Sequence, residues 1–478
     1  MRKGGARSIW LWGLGTGVLL GLGGLPLRAL GVGWPPEGLF ALLTHWLGFP
    51  WMFNLVHKVF GFGDLAKNLA FLGAVALWLL LHPLLLTLLR RWYWTGLGLA
   101  FFLYGGLGGL FLGLGSEGIR AGALYALGLG LLALAFRPQG GGPEDLRRRT
   151  GLKLLLLLGL ELLLGRGSRA KAQGPVGPGL PPEQTPQKDL YYVSKNPAFL
   201  DPDLARRLYR LEVGGLVEEP LALELEAIRS LPALEVNLVL TCISNEVGGP
   251  LIGCPRWRGV ALRTLLEKAG VKPQARFLVF QAADGYTESL PLSELPPEAL
   301  LAYAIQDPAT GRWEELERKH GYPLRLLLPG RYGMKQPKWL TRIVLSQEEV
   351  LGYWARRGWS REAVVRTMSR IDTPRPGARL QVGQEALLGG IAYAGGRPLE
   401  AVEVSTDGGR TWQRARLRPP RSRYAWQIWT LSWKPPAPGE YVLVVRAIEA
   451  GGKIQDPTPR DPLPDGATGY HRVRVSAG

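Results

Sequence analysis

Apolar positions follow three regimes along the chain. Up to residue 166 they are nearly continuous. Stretches near 8–31, 66–89, 93–115 and 119–136 each supply about twenty apolar residues, the length a helix needs to cross a hydrocarbon core. LKLLLLLGLELLL at 152–164 adds a shorter fifth stretch. Residues 35–61 are interrupted by Pro50 and several polar residues, and read as interfacial rather than spanning. With that segment outside the bilayer, Arg2, Lys3 and Arg7 share a side with Arg90 and Arg91, and again with Arg137, Arg147, Arg148, Arg149 and Lys153. This is the cation excess expected of cytoplasmic loops. Five crossings result, which places everything beyond residue 166 outside the cytoplasm, at the periplasmic or exterior face of the inner membrane.

The pattern then changes. Residues 167–188 are rich in Gly, Pro and Gln with no apolar period and read as a linker. Over 189–372, short alternating runs mix with a helical period in WRGVALRTLLEKAGV at 257–271, which predicts a mixed α+β domain. Over 373–478, alternating strands separated by hairpin signals, such as Asp407–Gly408, predict an immunoglobulin-like β-sandwich.

Charge alters this picture little. The chain carries 57 Lys and Arg against 39 Asp and Glu, a formal charge of +18, yet the cations are scattered rather than gathered into one patch. That distribution argues against a nucleic-acid partner. His45, His57 and His82 lie in or near the membrane part, but only His82 sits clearly inside a span, a weak basis for haem. No ionisable pair marks an ion path, which argues against a transporter. RRTGLKLLLLL at 148–158 reads either as a twin-arginine export signal or as a cytoplasmic anchor cluster.

Both cysteines fall in NLVLTCISNEVGGPLIGCPRW, residues 237–257. A Cys242–Cys254 disulfide is one reading in an exported chain. The neighbours support another. TCISNEVGGPLIGCPRWRGVALRTLL, then LAYA at 301–304, then HGYPLRLLLPGRYGMKQPKWLTRI at 320–343, resemble in order the cofactor-binding segments of the sulfite oxidase family of molybdenum enzymes. The resemblance covers roughly 189–475 and extends to the family's C-terminal dimerisation module, so a homodimer is expected.

The resemblance implies a molybdenum-molybdopterin cofactor whose metal is bound by the Cys242 thiolate, a soft, strongly donating ligand. Asn245 would be cofactor-binding, its amide pairing with nearby backbone or with the pterin, and Cys254 would be structural. His320 and Arg325 would contact the pterin and its phosphate, with Lys335, Gln336 and Lys338 closing the phosphate end. Lys195 and Asn196 would hold pterin or substrate, and Tyr303 would face the metal as an active-site tyrosine. Asp284 is a guess for the mouth. Trp339 belongs to a core rather than a solvated loop. Val247 stands where sulfite-oxidising members carry an arginine, so the sulfite reaction does not carry over directly. The expectation is a membrane-anchored oxidoreductase transferring an oxygen atom and two electrons, served by a membrane or soluble electron carrier. Its substrate is a small molecule or sulfoxide. The alternatives are methionine sulfoxide reduction, sulfite oxidation, and a cofactor-free receptor with a ligand-binding ectodomain.

Overall fold

The computed structural model describes residues 75–82, 84, 179–196, 201–204 and 206–478. The chain divides into two compact units, Met1–Ser168 and Arg169–Gly478. In the first, residues 75–82 are helical, within the second apolar stretch, and His82 is buried with Nδ1 2.7 Å from the Trp78 carbonyl. Among the described residues no helix is long and apolar enough to cross a membrane. The rest of the expected spans, the segment 35–61, the arginine pair at 148 and 149, and His45 and His57 lie outside the described residues.

The second unit begins with two β-sheets. Their strands are β1 (Arg210–Gly215), β2 (Leu221–Glu224), β3 (Ala233–Asn237), β4 (Leu240–Thr241), β5 (Ile252–Gly253), β6 (Arg256–Ala261), β7 (Phe277–Ala282), β8 (Thr287–Pro291), β9 (Leu300–Gln306), β10 (Trp313–Glu315), β11 (Arg325–Leu327) and β12 (Leu340–Ser346). One sheet runs β2-β1-β12-β7-β8, parallel only between β1 and β12. The other runs β10-β9-β6-β3, with β11 also on β9. Strand β1 alternates, burying Leu211 and Val213 and exposing Arg210 and Glu212, as a sheet with one wet face requires. Strand β9, LLAYAIQ, is buried almost throughout because it separates two cores. Leu301, Tyr303 and Ala304 join the main core with β1, β7 and β12, whereas Leu300, Ala302 and Ile305 join a second core with Leu238, Leu240 and Trp257.

Helices are scarce, so the mixed α+β expectation is corrected to a β-rich domain. Among the described residues it contains only α1 (Leu225–Arg229) and α2 (Leu262–Ala269), besides short 3-10 turns. The helical period read over 257–271 is half wrong, because residues 256–261 form β6 between β3 and β9. Gly259 explains the override: a Cβ there would lie 2.2 Å from the Leu301 carbonyl oxygen, so the backbones meet as strands must. Helix α2 occupies the remainder and ends on Gly270 in a left-handed conformation.

Residues 179–188, read as linker, are folded against the domain. Thr185 exchanges two hydrogen bonds with Cys254, N–H to carbonyl at 3.0 Å and Oγ1 from amide at 2.9 Å. Gln187 is buried and bonds to Glu315 and Glu317.

The C-terminal half contains β13 (Met368–Thr373), β14 (Arg379–Leu380), β15 (Ala386–Tyr393), β16 (Leu399–Ser405), β17 (Gln413–Arg414), β18 (Arg416–Leu417), β19 (Gln427–Trp433), β20 (Gly439–Glu449) and β21 (His471–Ala477). Sheets β13-β15-β19-β18 and β14-β21-β20-β16-β17 enclose a shared core of Leu388, Trp429, Val404, Leu443, Val445 and Val473. Strand β13 pairs with β15, so this domain starts several residues before the boundary drawn at 373. Asp407–Gly408 lies in the turn between β16 and β17, where Gly408 takes φ +78°.

His471 opens β21 and accepts the Ile371 amide on Nδ1 at 3.0 Å, which requires the neutral ring. Burial, then the charge of Arg370, pushes its pKa down to about 4. The unfolded chain therefore binds the extra proton first as pH falls. Stability present above pH 6.5 should decline until about pH 4, by up to about 3 kcal/mol. Melting temperatures across that range should fall less steeply for His471→Gln than for the parent chain.

Candidate active site

The apolar run Leu238–Leu240 ends at Cys242 because its side chains fill the second core and the chain then leaves it. Strands β4 and β5 form a small hairpin whose loop, residues 242–251, carries the sulfur. Its neck is closed by Cys242 N–H donating to the Leu251 carbonyl at 2.9 Å. The Asn245 side chain closes it again: Oδ1 accepts the Leu251 amide at 2.8 Å, while the Asn245 amide donates to the Cys242 carbonyl at 3.1 Å. Asn245 thus braces the loop, its side chain pairing with backbone, one of the two partners expected of it. Cys242 is half-buried with Sγ 3.0 Å from Ser244 Oγ, and neither cysteine is in a disulfide. Burial pushes the Cys254 thiol up to about 12, so it is an inert core residue.

Three tyrosines stand close enough to feel a charge at Cys242: Tyr191, Tyr286 and Tyr332. In each the hydroxyl pKa is raised, by burial first. Tyr286 donates to the Met334 carbonyl at 2.6 Å, and Tyr332 Oη accepts the Arg366 amide at 3.2 Å. Tyr303 is not among them. It lies on the other face of β9, in the main core, with the Arg229 guanidinium 5.3 Å from its ring centroid. The bulge between β6 and β9 at Arg258/Gly259 decides which β9 residues face the cysteine side, and this register is invisible in LLAYA itself. Tyr332, inside the RYGMKQ block, and Tyr191, beside Lys195, were the residues to single out.

The basic residues separate into two kinds. Arg325, on β11, is 3% exposed and has no carboxylate partner among the described residues. Two of its amino groups reach the His320 and Gln336 carbonyls at 3.0 and 3.4 Å, and Nε has no partner. Burial pulls its pKa down to about 10. His320 is buried beside it with Nε2 unpartnered, and its pKa is held well below the usual histidine value by burial and by the neighbouring cations Lys319, Arg325 and Lys338. Gln336 is likewise buried with Oε1 unpartnered.

The lysines are already engaged. Lys335 Nζ sits 2.8 Å from Glu288 Oε1 and 2.9 Å from the Ser289 carbonyl, a fully buried pair, so its expected place at a phosphate is corrected to a structural one. Lys338 donates to the Lys319 carbonyl at 3.0 Å and lies over Tyr192 and Trp339. Lys195 donates to the Asp284 carbonyl at 2.8 Å and to Asn196 Oδ1 at 2.9 Å, and Asn196 Nδ2 reaches Asp284 Oδ2 at 3.3 Å. Asp284 is therefore the anchor of this trio. Trp339 is buried, as expected.

A buried cation without a carboxylate among the described residues, flanked by an imidazole nitrogen and an amide oxygen that both lack partners, suits an anionic, hydrogen-bonding ligand. A phosphate-bearing pterin with a soft metal at the cysteine fits this donor set.

The family model of the oxidoreductase molybdopterin binding domain matches residues 199–354, and that of the Mo-co oxidoreductase dimerisation domain matches 362–477. The uncharacterized oxidoreductase YuiH of Bacillus subtilis is 35% identical over 152 residues, 32% of this chain and 72% of its own. Human mitochondrial sulfite oxidase is 30% identical over 346 residues, 61% of this chain and 62% of its length. The chain thus spans about three fifths of the sulfite oxidases it matches. The sulfane dehydrogenase SoxCD of Paracoccus pantotrophus shares the fold at TM-score 0.52 and 24% identity, over 63% of this chain and 82% of that one. Fold and site define a molybdopterin-binding oxidoreductase domain joined to a second β domain. The chain belongs to the molybdopterin oxidoreductase family that includes sulfite oxidase.

Two substitutions should separate the two kinds of cation. Arg325→Met removes a buried charge that lacks a counter-ion, so the cofactor-free chain should melt higher while pterin content falls at least about tenfold. Lys335→Met strands Glu288 and should cost about 3–5 kcal/mol whether or not cofactor is present. Thermal unfolding with pterin fluorescence after oxidation measures both.

Proposed function

We propose that the chain is a membrane-anchored oxidoreductase facing outward from the inner membrane, with the Cys242 thiolate binding the molybdenum of a single molybdopterin. The carrying observation is Arg325, buried without a carboxylate partner among the described residues, in the same domain whose strand end presents Cys242. When bound, the molybdenum supplies two-electron exchange with passage of an oxygen atom. The chain's own residues do the rest. Cys242 would hold the metal, and Asn245 keeps the loop that carries the thiol closed on Leu251. Arg325 neutralises the phosphate end, and His320 Nε2 and Gln336 Oε1 are open to hydrogen bonds from the pterin. Lys195, Asn196 and Asp284 form a rim that orients pterin or substrate. Tyr332 lines a small chamber of about 30 Å³ with Thr241, Asn245, Glu246 and Val247, close to the cysteine loop.

That chamber has room for only a water or two and Cys242 is not in its lining, so it is not itself the substrate pocket, but the charges around it bear on what the cysteine loop attracts. Arg366 is its only Lys or Arg, it lies 3.7 Å from Asp465, and Glu246 adds a negative charge. A small dianion such as sulfite gains little there, whereas a sulfoxide oxygen needs only hydrogen-bond donors. Methionine sulfoxide-type reduction is therefore favoured over sulfite oxidation, with electrons supplied by a membrane or soluble carrier. The C-terminal sandwich, immunoglobulin-like on this reading, pairs two copies.

Molybdenum and pterin analysis of the chain extracted from its own membranes tests the assignment. Cys242→Ser should lose most of its metal, and undiminished molybdenum would sink the proposal, as would a Cys242–Cys254 disulfide in freshly isolated protein. Assays with artificial electron carriers should show sulfoxide turnover exceeding sulfite oxidation.

A further inference from the structure

The second domain touches the cysteine loop at its far turn. Arg370, in β13 and 7% exposed, donates from Nη1 to the Gly249 carbonyl at 2.9 Å, and its other amino group meets Asp372 at 2.8 Å. Beside it His471 is held by the Ile371 amide, and its ring lies so near Gly248 that a Cβ there would come within 2.3 Å. Gly248 has φ +78°, so the backbone itself also demands glycine.

We propose that Arg370 and His471 form a clamp through which the second domain sets the position of the 242–251 loop, and with it the sulfur that loop carries. At its neck the loop is fixed by Leu251 and Asn245. Its far turn is held from within by the Gly249 amide donating to the Glu246 carbonyl. A turn so lightly tied can open locally. The guanidinium adds a charge-assisted bond from outside, and the imidazole blocks displacement on the glycine side. Arg370 is a positioning residue here, since it acts on the thiol through the backbone of Gly249. The second domain is then part of the site as well as a candidate surface for pairing copies. The inference rests on the proposed function only in calling Cys242 the metal ligand.

Alkylation of the cofactor-free full-length chain by iodoacetamide, read peptide by peptide in a mass spectrometer, tests it, with buried Cys254 as internal reference. Arg370→Met should speed modification of Cys242 roughly tenfold or more with Cys254 unchanged, and Arg370→Lys, which keeps a cationic donor, should restore part of the protection. Equal acceleration of both cysteines, or none, overturns the clamp. Should Arg370→Met fail to fold, Gly248→Ala loads the same turn from the other side. It should accelerate Cys242 modification, and adding His471→Ala should bring the rate part of the way back, whereas simply additive effects overturn the proposal. The readout needs no metal, so a Cys242→Ser chain that retained molybdenum would refute the ligand assignment and leave the clamp standing.

Discussion

A guanidinium buried without a carboxylate among the described residues is the constraint around which the catalytic half is arranged. Arg325 lies on a strand at the side of the second core, satisfied only in part by two carbonyls. Protein interiors tolerate such a group when something anionic completes it. The neighbouring unpartnered atoms, His320 Nε2 and Gln336 Oε1, add a separate demand for a hydrogen-bonding partner, because each is a polar atom removed from water. The contrast with Lys335 is instructive. Its charge is equally buried, but Glu288 answers it at 2.8 Å, so that lysine supports the Gly333–Lys335 turn rather than a ligand.

Much of this is legible in the sequence because the residues that act together are close in sequence. The hairpin loop spans 242–251, so C-x-x-N places Asn245 beside the thiol with backbone or pterin as its partner, and the Leu251 amide is the backbone partner found. His320, Arg325 and Gln336 belong to one block that winds back on itself, and the domain order follows from the change in hydrophobic period.

What is hidden depends on partners distant in sequence. Glu288 lies 47 residues before Lys335, and nothing in the basic block announces it. Arg370 is 121 residues from the carbonyl it holds. Tyr303 fails for a subtler reason: a strand offers two faces, and the register shift from Arg258–Ala304 to Gly259–Ala302 leaves Tyr303 itself as the extra residue, turned into the main core. The helical period over 257–271 misleads because it spans a strand and a helix in turn, and strand pairing outweighs local preference where two backbones must touch.

The segment 179–188 shows how closely the folded halves are sewn together. Glu183 meets Arg418 and Arg421 of the C-terminal half, while Thr185 and Gln187 bond to Cys254, Glu315 and Glu317 of the other. A short run of polar chain thus serves as basting thread across both fabrics. A version trimmed back to residue 189 would discard that seam and bare the amide of Cys254, so a biochemist seeking the two β-rich halves alone should begin the cut upstream of Gly179.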